Sequence, residues 1–146
     1  MSLQSWHSNG WLTEHKTSPQ EIGDLLAIVD RDLQQSQTPG LGPDWRLNIA
    51  YNAALQSAVA ALAAAGYRSR RANKHYRVIQ SLTYTIGLEP DLILLFDQFR
   101  KKRNLSDYER AGQVSEQEAD EMYELAKNIR AKVETWLKTH HANLLE

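Results

Sequence analysis

The chain contains no cysteine. Disulfides, thiolate metal sites and cysteine nucleophiles are therefore excluded. It also lacks an excess of either charge: 17 Lys and Arg face 18 Asp and Glu, for a net charge of -1. That balance argues against attraction of the whole molecule to nucleic acid, but leaves room for a local basic patch. Signal-peptide character is missing, and no run reads as a membrane span, so a cytoplasmic protein with no membrane partner is expected. There is no Gly-rich phosphate loop, no His-Glu-x-x-His and no Ser/His/Asp arrangement. His140 and His141 have no spaced partner ligands, so neither a metal site nor a cofactor is expected. Strand-like alternation of useful length is absent too, which leaves helices as the building material.

What the chain does have is one stretch around which the rest is organised, Trp45 to Gly66. It is rich in alanine and leucine, the strongest helix formers. Gly66 sits where a helix C-terminal glycine belongs. Arg46 is its only charge, and Asn48, Asn52 and Gln56, spaced four apart, draw one polar line along it. A helix apolar nearly all round is normally buried on several sides, so this one reads as the centre of a bundle. The polar line reads as a seam facing another helix or a partner, with a nucleotide-base contact by Asn52 as the alternative.

The remaining helices follow from their end signals. Ser18-Pro19-Gln20-Glu21 is a start, with a cap, a first-turn proline and a capping-box glutamate. Ile22, Leu25, Leu26, Val29 and Leu33 continue it at helical spacing. Thr38 to Pro43 is a break. A basic connection, Tyr67 to Asn73, leads to a helix over 74–86, which Gly87 stops. Pro90 opens the next helix, which Arg100-Lys101-Lys102-Arg103 closes in keeping with the helix dipole. After a loop over 104–114, Ser115 to Glu118 forms a second capping box. Ala119, Met122, Ala126, Ile129, Val133 and Trp136 then give a packing stripe. The expectation is an all-α, up-and-down bundle of about five antiparallel helices. Its domain spans 18–140, with an arm over 1–17 and a tail over 141–146. Trp6 and Trp11 are expected to dock the arm on the bundle.

Strict antiparallel order would bring two basic clusters to one end. The first is Arg68, Arg70, Arg71, Lys74 and Arg77; the second is Arg100, Lys101, Lys102 and Arg103. The acidic opening of the last helix would lie beside them. Such an end is either a solvated surface of weak ion pairs or a phosphate-binding end, for which arginine is well suited.

Three pieces over 45–136 resemble the HEPN domain, the higher-eukaryote and prokaryote nucleotide-binding helical bundle. They are the Ala-rich helix from Ile49 to Gly66, His75 at the start of the next helix, and Arg103-Asn104-Leu105-Ser106-Asp107-Tyr108 before a capped helix. The resemblance implies a two-fold homodimer. It also implies an active site, in the metal-independent ribonucleases of the family, built from an Arg, a following polar residue and a His four to six residues after the Arg. Arg103 and Asn104 match the front of that motif. Asp107 and Tyr108 stand where the His belongs, and neither ordinary pKa, about 4 and about 10, suits a base. That ending resembles a branch often paired with small nucleotidyltransferases. Arg70 and His75 have an Arg-to-His spacing of the same kind, but lie between the second and third helices.

The function expected is a non-catalytic binding and dimerisation module in a toxin–antitoxin-like setting. Arg68, Arg70, Arg71, Lys74, Arg100, Lys101 and Lys102, with Asn52, would bind RNA, a nucleotide or a nucleotidyltransferase partner. One alternative is a metal-independent ribonuclease with Arg103 as electrophile and His75 or Asp107 as a displaced base. Another is a structural bundle with no ligand.

Overall fold

A computed structural model describes residues 1–70, 74–106 and 114–145. The fold is an all-α helical bundle carrying one two-stranded sheet. Its elements are α1 (Leu3–Ser8), β1 (Leu12–Glu14), α2 (Pro19–Gln35), α3 (Pro43–Ala64), β2 (Tyr67–Ser69), α4 (Lys74–Ser81), α5 (Pro90–Ser106), α6 (Glu116–His140) and a 3-10 turn (Ala142–Leu144).

The end signals act as their chemistry requires. Ser18 accepts a hydrogen bond from the Glu21 amide at 3.1 Å, and Pro19 occupies the first turn of α2. Ser115 and Glu118 bond reciprocally, at 3.1 and 3.0 Å, to open α6. Gly66, at φ 100°, follows the last turn of α3 in a backbone region that disfavours residues with a Cβ. The helix over 74–86 is shorter than its spacing suggests. It ends at Ser81 and passes through turns to Gly87, at φ 65°.

α3 is the axis. Ala50, Ala53, Ala54, Ala58, Ala60 and Ala61 are fully buried, and small side chains let neighbouring backbones come close. By length and composition α3 could cross a membrane, yet most of it is buried inside the bundle. α2 and α6 are its main partners. α2 runs antiparallel to it: Asp32, near the end of α2, accepts a hydrogen bond from Asn52 Nδ2 at 2.7 Å. Gln56 extends this seam by donating to Asn52 at 3.2 Å. Asn52 therefore faces a helix, as the seam reading expects.

α6 departs from strict alternation. Arg46, in the first turn of α3, is ion-paired with Glu116 and Asp120 at the start of α6. Further along, Arg130 reaches Asp30 of α2 at 3.1 Å. α3 and α6 thus begin at the same end and run parallel, packed directly on one another. α5 lies antiparallel to α6, with Lys102 bonded to Glu118 at 2.6 Å.

The basic connection is where the expected topology fails. Tyr67–Ser69 forms β2 and pairs antiparallel with β1: Leu12 opposite Ser69, Thr13 opposite Arg68, Glu14 opposite Tyr67. The chain does not turn straight into α4. His75, early in α4, meets Tyr51, about 20 Å down α3 from Gly66 at 1.5 Å per residue. The arm is held on the bundle by this ladder and by aromatic packing. Trp6 is buried, edge-on to Trp11 and Tyr84, and the Arg77 guanidinium stacks 3.8 Å from the Trp11 ring centre.

Candidate anion-binding site

Tyr51 anchors the site from α3. Its ring is 1% exposed and packs edge-to-face on Phe96 of α5, with centroids 5.6 Å apart. The hydroxyl lies 3.3 Å from His75 Nδ1 of α4. Over the ring, 5.2 Å from its centre, sits the Arg103 guanidinium of α5, within cation–π range. One turn before it, Arg100 donates to Asp97 Oδ1 at 2.7 Å and lies 5.6 Å from the Tyr76 ring centre.

Both titratable rings are perturbed. Burial pushes the Tyr51 phenol up to about 12, against the pull of Arg103 and Arg100. Burial, then Arg103, Lys74 and Arg100, hold His75 below its ordinary value. Desolvation and nearby cations both disfavour the imidazolium. Among the described residues, His75 is the hydrogen-bond partner of the buried Tyr51 hydroxyl. A protonated phenol beside a neutral imidazole donates to the bare Nδ1, because a buried donor left unmade is costly. The other ring nitrogen, Nε2, then carries a proton and acts as a donor. The site offers two guanidinium groups and a neutral N–H, a set suited to an oxyanion.

The expected residues divide into three groups. His75, Arg100, Arg103 and Lys74 lie close enough for the three cations to act on the imidazole. Lys101, 3.6 Å from Asp97, and Lys102, on Glu118, flank them with carboxylates of their own. Arg68 and Arg70 belong to the ladder with β1 beyond the end of α3, and Lys74 lies between the two basic clusters, near Arg68 in one cleft and near Arg100 and Arg103 at His75. The acidic opening of α6 adjoins the α5 cluster at Lys102. Arg71, Asp107, Tyr108 and the Asn104 side chain lie outside the described residues. Among the described residues no cluster of three His, Asp or Glu could hold a metal ion.

Tyr51, Asp97 and Tyr76 were not among the site residues expected from the sequence, and Phe96 was expected only on the apolar face of its helix. Only Tyr51 carries a usable signal, as an aromatic residue inside a run of alanines.

The shift of His75 has a measurable consequence. Its folded pKa lies below the unfolded value of about 6.5. The unfolded chain therefore binds the proton first, and stability falls as pH drops from about 6.5 toward the folded pKa. His141 is shifted in the same direction by burial and by His140. The expected result is a shallower loss of stability between pH 7 and pH 5 in His75→Gln than in the parent, read by urea unfolding. Parallel curves would mean that His75 is not desolvated.

No protein-family model matches the chain, and no curated protein is similar enough to count as a relative.

Proposed function

We propose that the chain is a HEPN-like binding and dimerisation module whose face at Tyr51, His75, Arg100 and Arg103 receives a phosphate of RNA or of a nucleotide. The observation that carries this reading is the convergence of His75 from α4 and Arg103 from α5 on one buried tyrosine. The proton on Nε2 of His75 favours donation to a phosphate oxygen over removal of a proton. A cytoplasmic setting and a nucleotidyltransferase partner belong to the same reading and rest on the family resemblance.

Fluorescence anisotropy with a short labelled single-stranded RNA tests the site. Arg100→Gln and Arg103→Gln should each weaken binding and flatten the salt dependence by roughly 0.7 log units per log unit of salt, the value for one phosphate contact on a single strand. Binding that survives both substitutions at the parent affinity would remove the site.

The homodimer is supported by α5, where Leu94 is 59% exposed and Leu92 and Leu95 are only partly covered. The last two line a groove of about 400 Å³ against α6. Light scattering should give a dimer mass at tens of micromolar, and a monomer mass there would rule the dimer out.

A ribonuclease reading is favoured by one specific observation: His75 is held neutral beside Arg103. With the opposite tautomer, Nε2 would take the proton of a ribose 2′-hydroxyl as its oxygen attacks phosphorus, Arg103 would meet the charge growing on the phosphoryl oxygens, and the P–O5′ bond would break to leave a 2′,3′-cyclic phosphate and a 5′-hydroxyl protonated from solvent. Cleavage of RNA in the presence of chelator, lost in both His75→Ala and Arg103→Ala, would establish it over simple binding.

A further inference from the structure

We propose that a second cleft, at the far end of α3, binds a small organic anion: a carboxylate carried on an apolar body. The cleft encloses about 400 Å³, within the usual range of small-molecule sites. Its floor is apolar and contributed by three helices: Leu25 of α2, Val59, Leu62 and Ala63 of α3, and Val78 of α4. Leu62 and Val78 are each 1% exposed, so this floor is a continuation of the core. The rim is charged and is formed by His15, Glu21, Arg68 and Lys74. Tyr51, His75, Arg100 and Arg103 do not line this cleft; Lys74 lines it and also acts on His75.

The acid and the two cations of the rim are not equivalent. Glu21 Oε1 accepts from Thr17 Oγ1 at 2.6 Å and is 2.7 Å from His15 Nε2. Those bonds, with a longer-range contribution from Arg68, keep its carboxyl below the usual carboxylate range. The acid is thus engaged by its own neighbours. Arg68 and Lys74 have no carboxylate within 4.0 Å among the described residues. An apolar floor beneath two cations without close counter-ions matches an amphipathic anion. The body covers Leu62 and Val78, and the headgroup meets the guanidinium and ammonium. Inorganic phosphate could satisfy the cations but would leave the floor wet.

The pocket draws on several separate elements: β2 delivers Arg68, the arm delivers His15, and α4 begins with Lys74.

Octanoate serves as the probe, with inorganic phosphate at equal ionic strength as its comparison. Both are titrated into isotopically labelled full-length protein, and amide shifts are read by nuclear magnetic resonance. Saturable shifts at Ala63, Ser69 and Val78 are expected with octanoate and not with phosphate. Arg68→Gln and Lys74→Gln, both at the rim, should each weaken octanoate binding about tenfold, the effect of one charge-assisted hydrogen bond. Val59→Phe should abolish it by filling the floor. The proposal is overturned if octanoate gives no saturable shifts at those amides, if phosphate gives the same shifts, or if Arg68→Gln and Lys74→Gln both bind octanoate like the parent.

Discussion

Phe96→Ala should lower the free energy of unfolding by about 3–5 kcal/mol, the usual cost of truncating a buried phenylalanine. Phe96 is fully buried in α5 and meets the Tyr51 ring edge-to-face. The substitution removes a large apolar side chain and an aromatic pair, and opens a cavity against α3 that Ala-rich walls cannot collapse to fill. For a domain of this size the loss corresponds to a fall in melting temperature of roughly 10 °C. Because Tyr51 positions both the His75 contact and the Arg103 stack, RNA affinity should fall in the same variant at temperatures where it is still folded. Urea unfolding checks the first effect and anisotropy the second. A stability loss under about 1 kcal/mol would mean that α5 is not held to α3 through this pair.

Ala61→Leu should act by the opposite mechanism, costing about 1–3 kcal/mol through overpacking. Ala61 is fully buried in α3. Leucine is as good a helix former as this helix needs, so propensity cannot account for the loss. The extra methylenes must push a neighbouring helix away, and close-packed interiors resist that. Ala64→Leu is the matched control. Ala64 is only partly buried at the end of the same helix, and its replacement should cost far less. Equal effects at the two positions in thermal unfolding would show that α3 has room along its length and that its alanines are not there for close approach.

The difference between what could and could not be read from the residues is physical. α2, α3, α5 and α6 announce themselves through local chemistry: Ser18 and Ser115 as caps, Gly66 at positive φ, Pro43 and Pro90 in first turns. Each of those signals is complete within four residues. The β1–β2 ladder has no local signal. Tyr67-Arg68-Ser69 is too short to show a period, and its partner lies more than fifty residues earlier. Missing that strand misplaces everything that depends on it. With β2 read as a simple connection, Arg68 and Arg103 appear to share an end; with the strand in place, they do not. The parallel course of α6 is hidden for a related reason. It depends on how closely a second helix can approach the alanines of α3, which is a property of the assembled bundle. Within the candidate anion site, His75 and Arg103 could be named from their chemistry and their place at helix ends. Tyr51 could not, because its role is to stand between them.

The clasp between arm and bundle also imposes an order of events during synthesis. Trp6 and Trp11 are made early, but Arg77 and Tyr84, against which they pack, follow roughly seventy residues later, an interval of about 4–14 s at ordinary elongation rates. Over that interval two indole rings have no native surface to cover them. α2 and the first part of α3 emerge meanwhile with their own apolar faces open, so the arm can settle on the wrong helix before β2 exists. The final seating of the arm is then a displacement, in which the ladder to Tyr67–Ser69 must outcompete contacts already made. A fold whose helices are locally specified thereby depends, at the arm, on a non-local step, and its nascent chain offers tryptophans that await Arg77 and Tyr84.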